Sequence, residues 1–497
     1  SCPIFDFCPP RFAWRGRGFL IFDLICPISS YVAILYQESV WQTRMNDLIP
    51  KEIQRIYKKI EEKGFDAYFV GGCVRNLLMK IPVKDWDLTT NATPDQILKL
   101  FSDGFYNNQF GTVGIPLGEQ NIVEITTFRT EHGYSDRRRP DKVVWGKTID
   151  EDLSRRDFTM NAVALAISHK PSAISRFVDP FDGRKDIEDK IIRTVGNPKE
   201  RFKEDALRLL RAIRFATVLS FDIDETTGKE IVADAKLIKE ISNERVRDEL
   251  LKIMASDDPT KGILLLKDSG LLKYILPELL EGVGVSMVRP GRHHTTDVFT
   301  HNILSLKYCP SKDPIVRFAT LIHDVGKPKV KGEDKQGLVI FYNHEVAGAK
   351  IAYEVCLRLR FSKKATGRIV NLIRWHMFSV DEKVSDAGVR RYIRRVGVEN
   401  VADLIDLRIG DRLGSGTKDA ESWRLKKFKE RLEKELAPAA FSINDLAIDG
   451  NDVMKILSIK PGPQIGKILQ TLFEEVDEDQ SKNTKEYLLK RVVELKS

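Results

Sequence analysis

Ala67-Tyr68-Phe69-Val70-Gly71-Gly72-Cys73-Val74-Arg75 and, ten residues after that arginine, Asp85-Trp86-Asp87-Leu88 decide how this chain is read. The apolar run at 67–70 predicts a short strand that ends in Gly-Gly and feeds a helix over 73–79. Glycines let backbone N–H groups approach a phosphate, and the following helix would aim its positive end there. Arg75, on the first turn of that helix, could clamp a phosphate oxygen. Asp85–Leu88 reads as a second strand. Alternate strand residues share a face, so Asp85 and Asp87 would point together while Trp86 enters the core. Carboxylates that close repel unless a divalent cation lies between them, and Mg²⁺ takes its other ligands from water and phosphate.

Working outward, Ile122-Val123-Glu124-Ile125-Thr126 holds a single acid in an apolar β run. Glu124 is therefore expected on a neighbouring strand as a third, buried carboxylate. Two Mg²⁺ ions over a nucleoside triphosphate would fit such a set, one activating a hydroxyl and the other neutralising the departing pyrophosphate. A lone Asp-x-Asp is usually a solvated strand end and a lone Gly-Gly a turn. The order, the spacing and the downstream acid carry the reading together.

At 497 residues the chain is too long for one core. A net charge of +8 suits a polyanionic partner without proving one. Six cysteines with no CxxC spacing argue against a disulfide framework and for a reducing cytoplasm. Residues 1–44 differ in composition from the rest and are expected to be an upstream-translated extension ahead of Met45. The apolar stretch 18–36 makes a membrane anchor the alternative. Thr93-Pro94-Asp95-Gln96 is a helix start with a capping box. Phe110–Leu117 and Ile122–Phe128 read as a hairpin, 131–142 as a mobile basic loop, and Arg176–Asp179 as a short strand. From about residue 186 the pattern is almost entirely helical.

Glu204-Asp205-Ala206-Leu207-Arg208, extended by Arg211 and Arg214, is expected on one helix, where residues three apart are neighbours. A carboxylate accepts from an exocyclic amino group and a guanidinium donates to the adjacent ring nitrogen. Asp205 with Arg208 would thus accept cytosine and adenine and reject uracil and guanine. On an isolated helix the same spacing would be a surface ion pair.

These residues, with Arg155-Arg156-Asp157-Phe158-Thr159-Met160-Asn161-Ala162 and Asp179-Pro180-Phe181-Asp182-Gly183, resemble the successive motifs of the class II tRNA nucleotidyltransferases. That is the bacterial CCA-adding and poly(A) polymerase family of the DNA polymerase β-like superfamily. The likeness runs from about Phe65 to Phe215 and more loosely to the C-terminus. It implies an α+β protein, with a small N-terminal α/β head and then an elongated all-α neck, body and tail. It implies template-independent addition of CCA to the 3′ end of tRNA from CTP and ATP, with no membrane partner. It sets Asp85, Asp87 and Glu124 as catalytic and Gly71, Gly72, Arg75, Arg155, Arg156, Asp157, Glu204, Asp205, Arg208, Arg211 and Arg214 on the nucleotide. It likens the 131–142 loop to one that helps the site switch from C to A. Asn76 departs from the family's usual aspartate. A poly(A) polymerase or A-only adder is the alternative, although the basic signature of bacterial poly(A) polymerases is missing from Phe110–Ile115.

Six of the eight histidines fall within residues 293–376. His301, His323-Asp324, His344, His376 and Asp411 resemble the metal ligands of an HD phosphohydrolase domain, which some members of the family carry. An apolar helix through Phe318–Ile322 is expected to deliver His323 and Asp324 to a divalent transition metal. An HD phosphohydrolase with an RNA-binding N-terminal half is the reading from another class. Arg390, Arg391, Arg394, Arg395 and Arg424–Arg431 form basic helical faces that could follow the acceptor arm of tRNA. Expected boundaries are 45–190 for the head, 191–290 for neck and body, 291–415 for the HD domain and 416–497 for the tail.

Overall fold

The computed structural model describes residues 47–108, 111–118, 121–133, 142–167, 175–288, 296–378, 385–417, 419–436 and 442–495. The expectations for 1–44 and for most of the 131–142 loop lie outside these residues, as does Phe110. The chain divides into two compact units, one of Ser1–Thr130 with Val143–Ile187 and the other of Glu131–Lys142 with Glu188–Ser497.

In the first unit, α1 (Lys51–Glu61) buries Ile53, Ile56, Tyr57 and Ile60 at helical spacing and leaves Lys58 and Lys59 outside. It covers a seven-stranded sheet. The strands, with the helices between them, are β1 (Ala67–Val70), α2 (Gly72–Leu78), β2 (Asp87–Thr90), α3 (Pro94–Leu100), β3 (Phe105–Asn108), β4 (Thr112–Leu117) and β5 (Asn121–Thr127), followed by α4 (Ile149–Ser154), β6 (Ala164–Ala166) and β7 (Arg176–Val178). Their order across the sheet is β3-β4-β5-β2-β1-β6-β7. The hairpin is β4–β5, and β2 runs parallel to β5 in the middle of the sheet. The Tyr57 hydroxyl donates to the Ala67 carbonyl at 2.8 Å and accepts from the Ile167 amide at 3.2 Å, which fixes α1 on the sheet. Phe69 stacks on Tyr57 at 5.3 Å and meets Trp86 edge-on at 5.5 Å, so Trp86 does enter the core. The capping box at Thr93 and Gln96 starts α3 as read.

The strand expected over Asp85–Leu88 begins only at Asp87. Asp85 lies on a bend ahead of it, so the two acids are not alternate residues of one strand. The ladder to β5 sets this boundary, since its first register pair is Asp87 with Glu124.

The second unit is helical apart from short two-stranded pairs such as Gly332–Glu333 with Val339–Ile340. The helices used below are α5 (Pro198–Glu204), α6 (Leu207–Val218), α7 (Asn243–Met254), α8 (Val298–Tyr308), α9 (Pro314–Leu321), α10 (His344–Arg358), α11 (Lys363–Trp375), α12 (Asp386–Val396), α13 (Val401–Gly414), α14 (Trp423–Leu436) and α15 (Pro463–Glu478). Residues from Leu446 to Val492 form a core of their own around Leu472 and Val476. The basic face of α12 is only partly available to RNA. Arg390 is buried against Glu435 and Asp477, and Arg394 donates to both Asp477 oxygens at 2.8 and 2.6 Å. Arg391 keeps half of its side chain exposed.

Candidate active site

Gly71 precedes α2 with φ +72°, a left-handed backbone that favours glycine. A Cβ there would lie 3.1 Å from Arg156 Nη1 and 3.7 Å from Asp87 Oδ2, so the residue also clears space beside the acid. Parallel pairing puts Asp87 level with Glu124. Asp85, Asp87 and Glu124 border one open hollow of about 980 Å³. Glu124 is exposed rather than buried, because it faces this hollow while Val123 and Ile125 fill the core. Burial pushes the Asp87 carboxyl up to about 6; nearby Arg156 opposes the rise, and Glu124 and Asp85 add to it. An all-oxygen set in which Glu124 and Asp85 add to the raised proton affinity of Asp87 fits a hard divalent cation.

Arg75 donates to Asn161 Oδ1 at 2.7 Å and to Asn76 Oδ1 at 2.9 Å. Asn161 in turn donates to Asp157 at 3.0 Å, so Asp157 belongs to the network that orients Arg75. Asn76, the departure noted above, serves this network as an acceptor. Arg155 and Arg156 both bond the fully buried Asp152. In the Asp179–Gly183 motif, Asp179 accepts from the Gly183 and Arg184 amides at 2.7 and 2.9 Å. A Cβ at Gly183 would sit 2.1 Å from the Thr159 carbonyl, so this motif is a packing junction.

The 204–214 motif is not one helix. α5 ends at Glu204, and Asp205 (φ −140°, ψ 101°) is extended before α6 begins. There it accepts the Leu207 amide at 3.0 Å, as an N-terminal helix cap does. Its charge partner is Arg245 of α7, at 3.2 and 2.8 Å. Arg208 pairs with Glu204 at 2.5 Å and with the Arg201 carbonyl at 3.0 Å. The expected stack of Asp205, Arg208 and Arg211 on one face is therefore replaced by two internal pairs. Arg214 meets the buried Glu249 at 2.5 Å and, like Arg211, lies over the Phe215 ring.

Six buried side chains meet in the second unit. His301 comes from α8, His344 from the start of α10, His376 from the end of α11 and Asp411 from α13. His323 and Asp324 follow α9 on a turn rather than riding the helix itself. Asp324 Oδ2 lies 3.2 Å from His301 Nε2 and 3.4 Å from His323 Nε2, and its Oδ1 lies 3.3 Å from His344 Nε2 and 3.8 Å from His376 Nε2. Asp411 Oδ1 is 3.2 Å from His301 Nε2. His323, His344 and His376 turn Nδ1 to the carbonyls of Thr320, Phe341 and Ile373 at 2.8, 2.9 and 2.6 Å. That contact fixes the tautomer and leaves each Nε2 facing the centre. Burial disfavours charge on His323, yet Asp324 and Asp411 raise it to about 10. Burial and then charged His323 push His376 down to about 3. Mixed nitrogen and oxygen donors fit a borderline transition metal.

A family model described as "Poly A polymerase head domain" matches residues 67–193. One described as "Probable RNA and SrmB- binding site of polymerase A" matches 220–282, and a model of tRNA nucleotidyltransferase domain 2 matches 339–492. The CCA-adding enzyme of Limosilactobacillus reuteri is 32% identical over 444 residues, 88% of this chain and 95% of that protein. The chain belongs to the CCA-adding enzyme family. The A-adding tRNA nucleotidyltransferase of Deinococcus radiodurans, a relative of this family member, is 33% identical over 423 residues, 82% of this chain and 91% of that protein. The crystal structure of the Bacillus stearothermophilus CCA-adding enzyme in complex with CTP shares the fold at TM-score 0.63 and 24% identity, covering 90% of this chain and 98% of that one. Mixed α/β head and helical remainder are thus the architecture of the family.

Sequence reasoning missed Asp152, Arg245, Glu249 and Lys327. The spacing of Asp152 to Arg155 and Arg156 was a usable helical signal. Lys327 follows Asp324 by one turn and sits 2.6 Å from its Oδ2. Arg245 is forty residues from Asp205, and no local pattern joins them.

Proposed function

We propose that this chain adds CCA to the 3′ end of tRNA from CTP and ATP without a nucleic-acid template, in the cytoplasm. The observation that carries this is the set Asp85, Asp87 and Glu124 beside the Gly71-Gly72 turn, in a chain that spans nearly the whole length of a CCA-adding relative. Asp85 and Asp87 would hold two Mg²⁺ ions, with Glu124 beside them. When bound, these ions supply charge neutralisation at the triphosphate and a lower pKa for the terminal hydroxyl of tRNA. The chain's own residues orient and exclude. Gly71 keeps the cradle open, and Arg75, Arg155 and Arg156 hold phosphate oxygens. Asp205 accepts the exocyclic amino proton of cytosine or adenine, and Arg208 donates to the adjacent ring nitrogen. Glu204 and Arg245 hold this pair, with Arg211 and Arg214 beyond it on α6. The three buried free thiols Cys73, Cys309 and Cys356 suit a reducing compartment. No helix among the described residues is long and apolar enough to cross a membrane.

Full-length protein with tRNA lacking CCA, given CTP and ATP separately and together, tests this reading. Ordered incorporation of C, C and A is expected. Addition of A only to tRNA already ending in CC would move the chain to the activity named for the Deinococcus relative, and long A tails would make it a poly(A) polymerase.

The buried cluster supports a second reading, an HD-type phosphohydrolase. His301, His323, Asp324, His344, His376 and Asp411 would hold a divalent transition metal, and two of their triads share Asp324. Hydrolytic opening of the 2′,3′-cyclic phosphate end of an RNA to a phosphomonoester, or release of phosphate from such a monoester by a second hydrolysis, lost on chelation and restored by Mn²⁺ or Ni²⁺, is the expected outcome. Metal-replete protein with neither hydrolysis would leave the cluster a structural site.

A further inference from the structure

His301, His323, Asp324 and His376 have almost no exposed side-chain surface. Around this cluster exposure is greatest at one edge, where Asp411 keeps 12% and Arg408, three residues earlier on α13, keeps 21%. Each carboxylate is matched by a cation from outside the imidazoles. Lys327 Nζ lies 2.6 Å from Asp324 Oδ2, but Lys327 is itself buried. Arg408 Nη1 donates to Asp411 Oδ2 at 2.8 Å, while Asp411 Oδ1 turns to His301. Glu345, 3.9 Å from His344 Nδ1, has Arg374 at 3.7 Å as its own cation. The other edge of the Arg408 guanidinium, Nε with Nη2, makes no hydrogen bond among the described residues. That edge carries two parallel N–H donors, the fork that matches a phosphate. Its plane is held in place. Arg408 lies 5.7 Å from the Phe378 ring, which stacks on Phe428 of α14 at 5.3 Å and meets Tyr392 of α12 at 5.2 Å.

We propose that Arg408 is the specificity-determining residue of this cluster, its Nε–Nη2 edge gripping a terminal phosphomonoester of RNA in preference to a cyclic phosphodiester. The proposal rests on the phosphohydrolase reading of the cluster and names the group that would choose its substrate. Imidazoles must be neutral to hold a metal. Since Lys327 and Arg408 already match the two buried carboxylates, the charge of a divalent ion would call for a ligand with two negative charges. A phosphate at the 2′ or 3′ position of a chain end carries about that charge and has three non-bridging oxygens. Two can take the guanidinium fork while the third faces the ligand set. A 2′,3′-cyclic phosphate has two such oxygens and one charge, so the fork leaves it none to spare. Hydrolysis of the monoester needs water alone. A P–O bond forms from the water oxygen as the ester P–O bond breaks; one water proton ends on the departing ribose oxygen and the other stays on the phosphate.

The experiment uses full-length protein at saturating Mn²⁺. Arg408→Gln should raise the calorimetric Kd for inorganic phosphate about tenfold. The ratio of kcat/KM for an RNA ending in a 3′-phosphate to that for the 2′,3′-cyclic end should fall about tenfold. Metal content from elemental analysis should stay within about twofold. An unchanged phosphate Kd or an unchanged ratio would overturn the proposal. Loss of metal with a wild-type phosphate Kd at saturating Mn²⁺ overturns it as well, because Arg408 would then only orient Asp411. Should Arg408→Gln fold poorly, as its melting temperature would reveal, Arg408→Met takes its place. Methionine keeps an unbranched apolar stem and removes every donor, so the same outcomes decide. His323→Ala serves as the outer control. Wild-type protein that holds Mn²⁺ and hydrolyses neither end, or hydrolysis that survives His323→Ala, sinks the phosphohydrolase reading. Hydrolysis by wild type beside an unaltered Arg408→Gln sinks the role of Arg408 alone.

Discussion

Asp85, Asp87 and Glu124 stand around an open hollow and come from two neighbouring strands and the bend before one of them. The cluster around Asp324 is sealed, and its members arrive from four helices and a turn spread over residues 301–411. The open site carries oxygen donors alone and leaves room for a large anionic ligand. The sealed one carries four imidazoles and two carboxylates that already contact one another. An open carboxylate set tolerates its own repulsion because water and substrate can share the load. A buried set must balance its charge internally, and here Asp324 and Asp411, both held well below the usual carboxylate range, face His301 and His323, both raised by them. The exposure of Glu124, which the apolar run around it did not announce, therefore belongs with the first design.

Substitutions can break this contrast. The largest effect is expected for Asp85→Ala, which should cut kcat for CTP incorporation by about 10³-fold or more, with the tRNA Kd from filter binding within about twofold. Turnover near wild type would remove the open site from the chemistry. Next, His323→Ala should weaken metal retention by at least about 100-fold, read by elemental analysis after dialysis, and leave CTP incorporation within about twofold. Loss of both together would show that the two sites are not separable.

Asp87→Asn addresses the cost of burying a carboxylate beside two other acids. The folded-state pKa of Asp87, about 6, lies above the ordinary aspartate value of 3.8, so the folded protein binds the extra proton between those pH values. Stability conferred by that proton is lost as pH rises through 6 and is fully absent at pH 7. The asparagine variant escapes that cost. In chelator it should be more stable than wild type at pH 7 by up to about 3 kcal/mol, with the gain vanishing near pH 4. Denaturant unfolding at both pH values checks it; equal stability at pH 7 would mean that the Asp87 carboxylate carries no such cost. The smallest effect concerns the pair at the α5–α6 junction. Arg245→Ala should lower discrimination against UTP about tenfold, read as a ratio of kcat/KM, by freeing Asp205 from its preset direction. Unchanged discrimination would leave the Leu207 amide as sufficient restraint.

Residue type and order told much of this in advance. Gly71, Asp87 and Glu124 occupy the turn and paired strands expected of them, because Gly-Gly and alternating apolar runs are local signals. The Thr93 cap and the 112–127 hairpin are local for the same reason. Asp85 fell outside its strand because a ladder begins where a partner strand does. Arg390 and Arg394 read as a basic face, but Asp477 lies more than eighty residues away and turns these two inward.

Asp205 makes the division plain. By itself the sequence determined that an acid and an arginine stand three residues apart, since composition and spacing are one-dimensional facts. Only the tertiary structure decided that the chain breaks at Asp205, that Arg245 rather than Arg208 balances it, and that Glu204 takes Arg208. The same holds for the sealed cluster, whose histidines are legible one by one. Their common centre on Asp324 exists because four helices pack together, and packing joins residues that no local pattern relates.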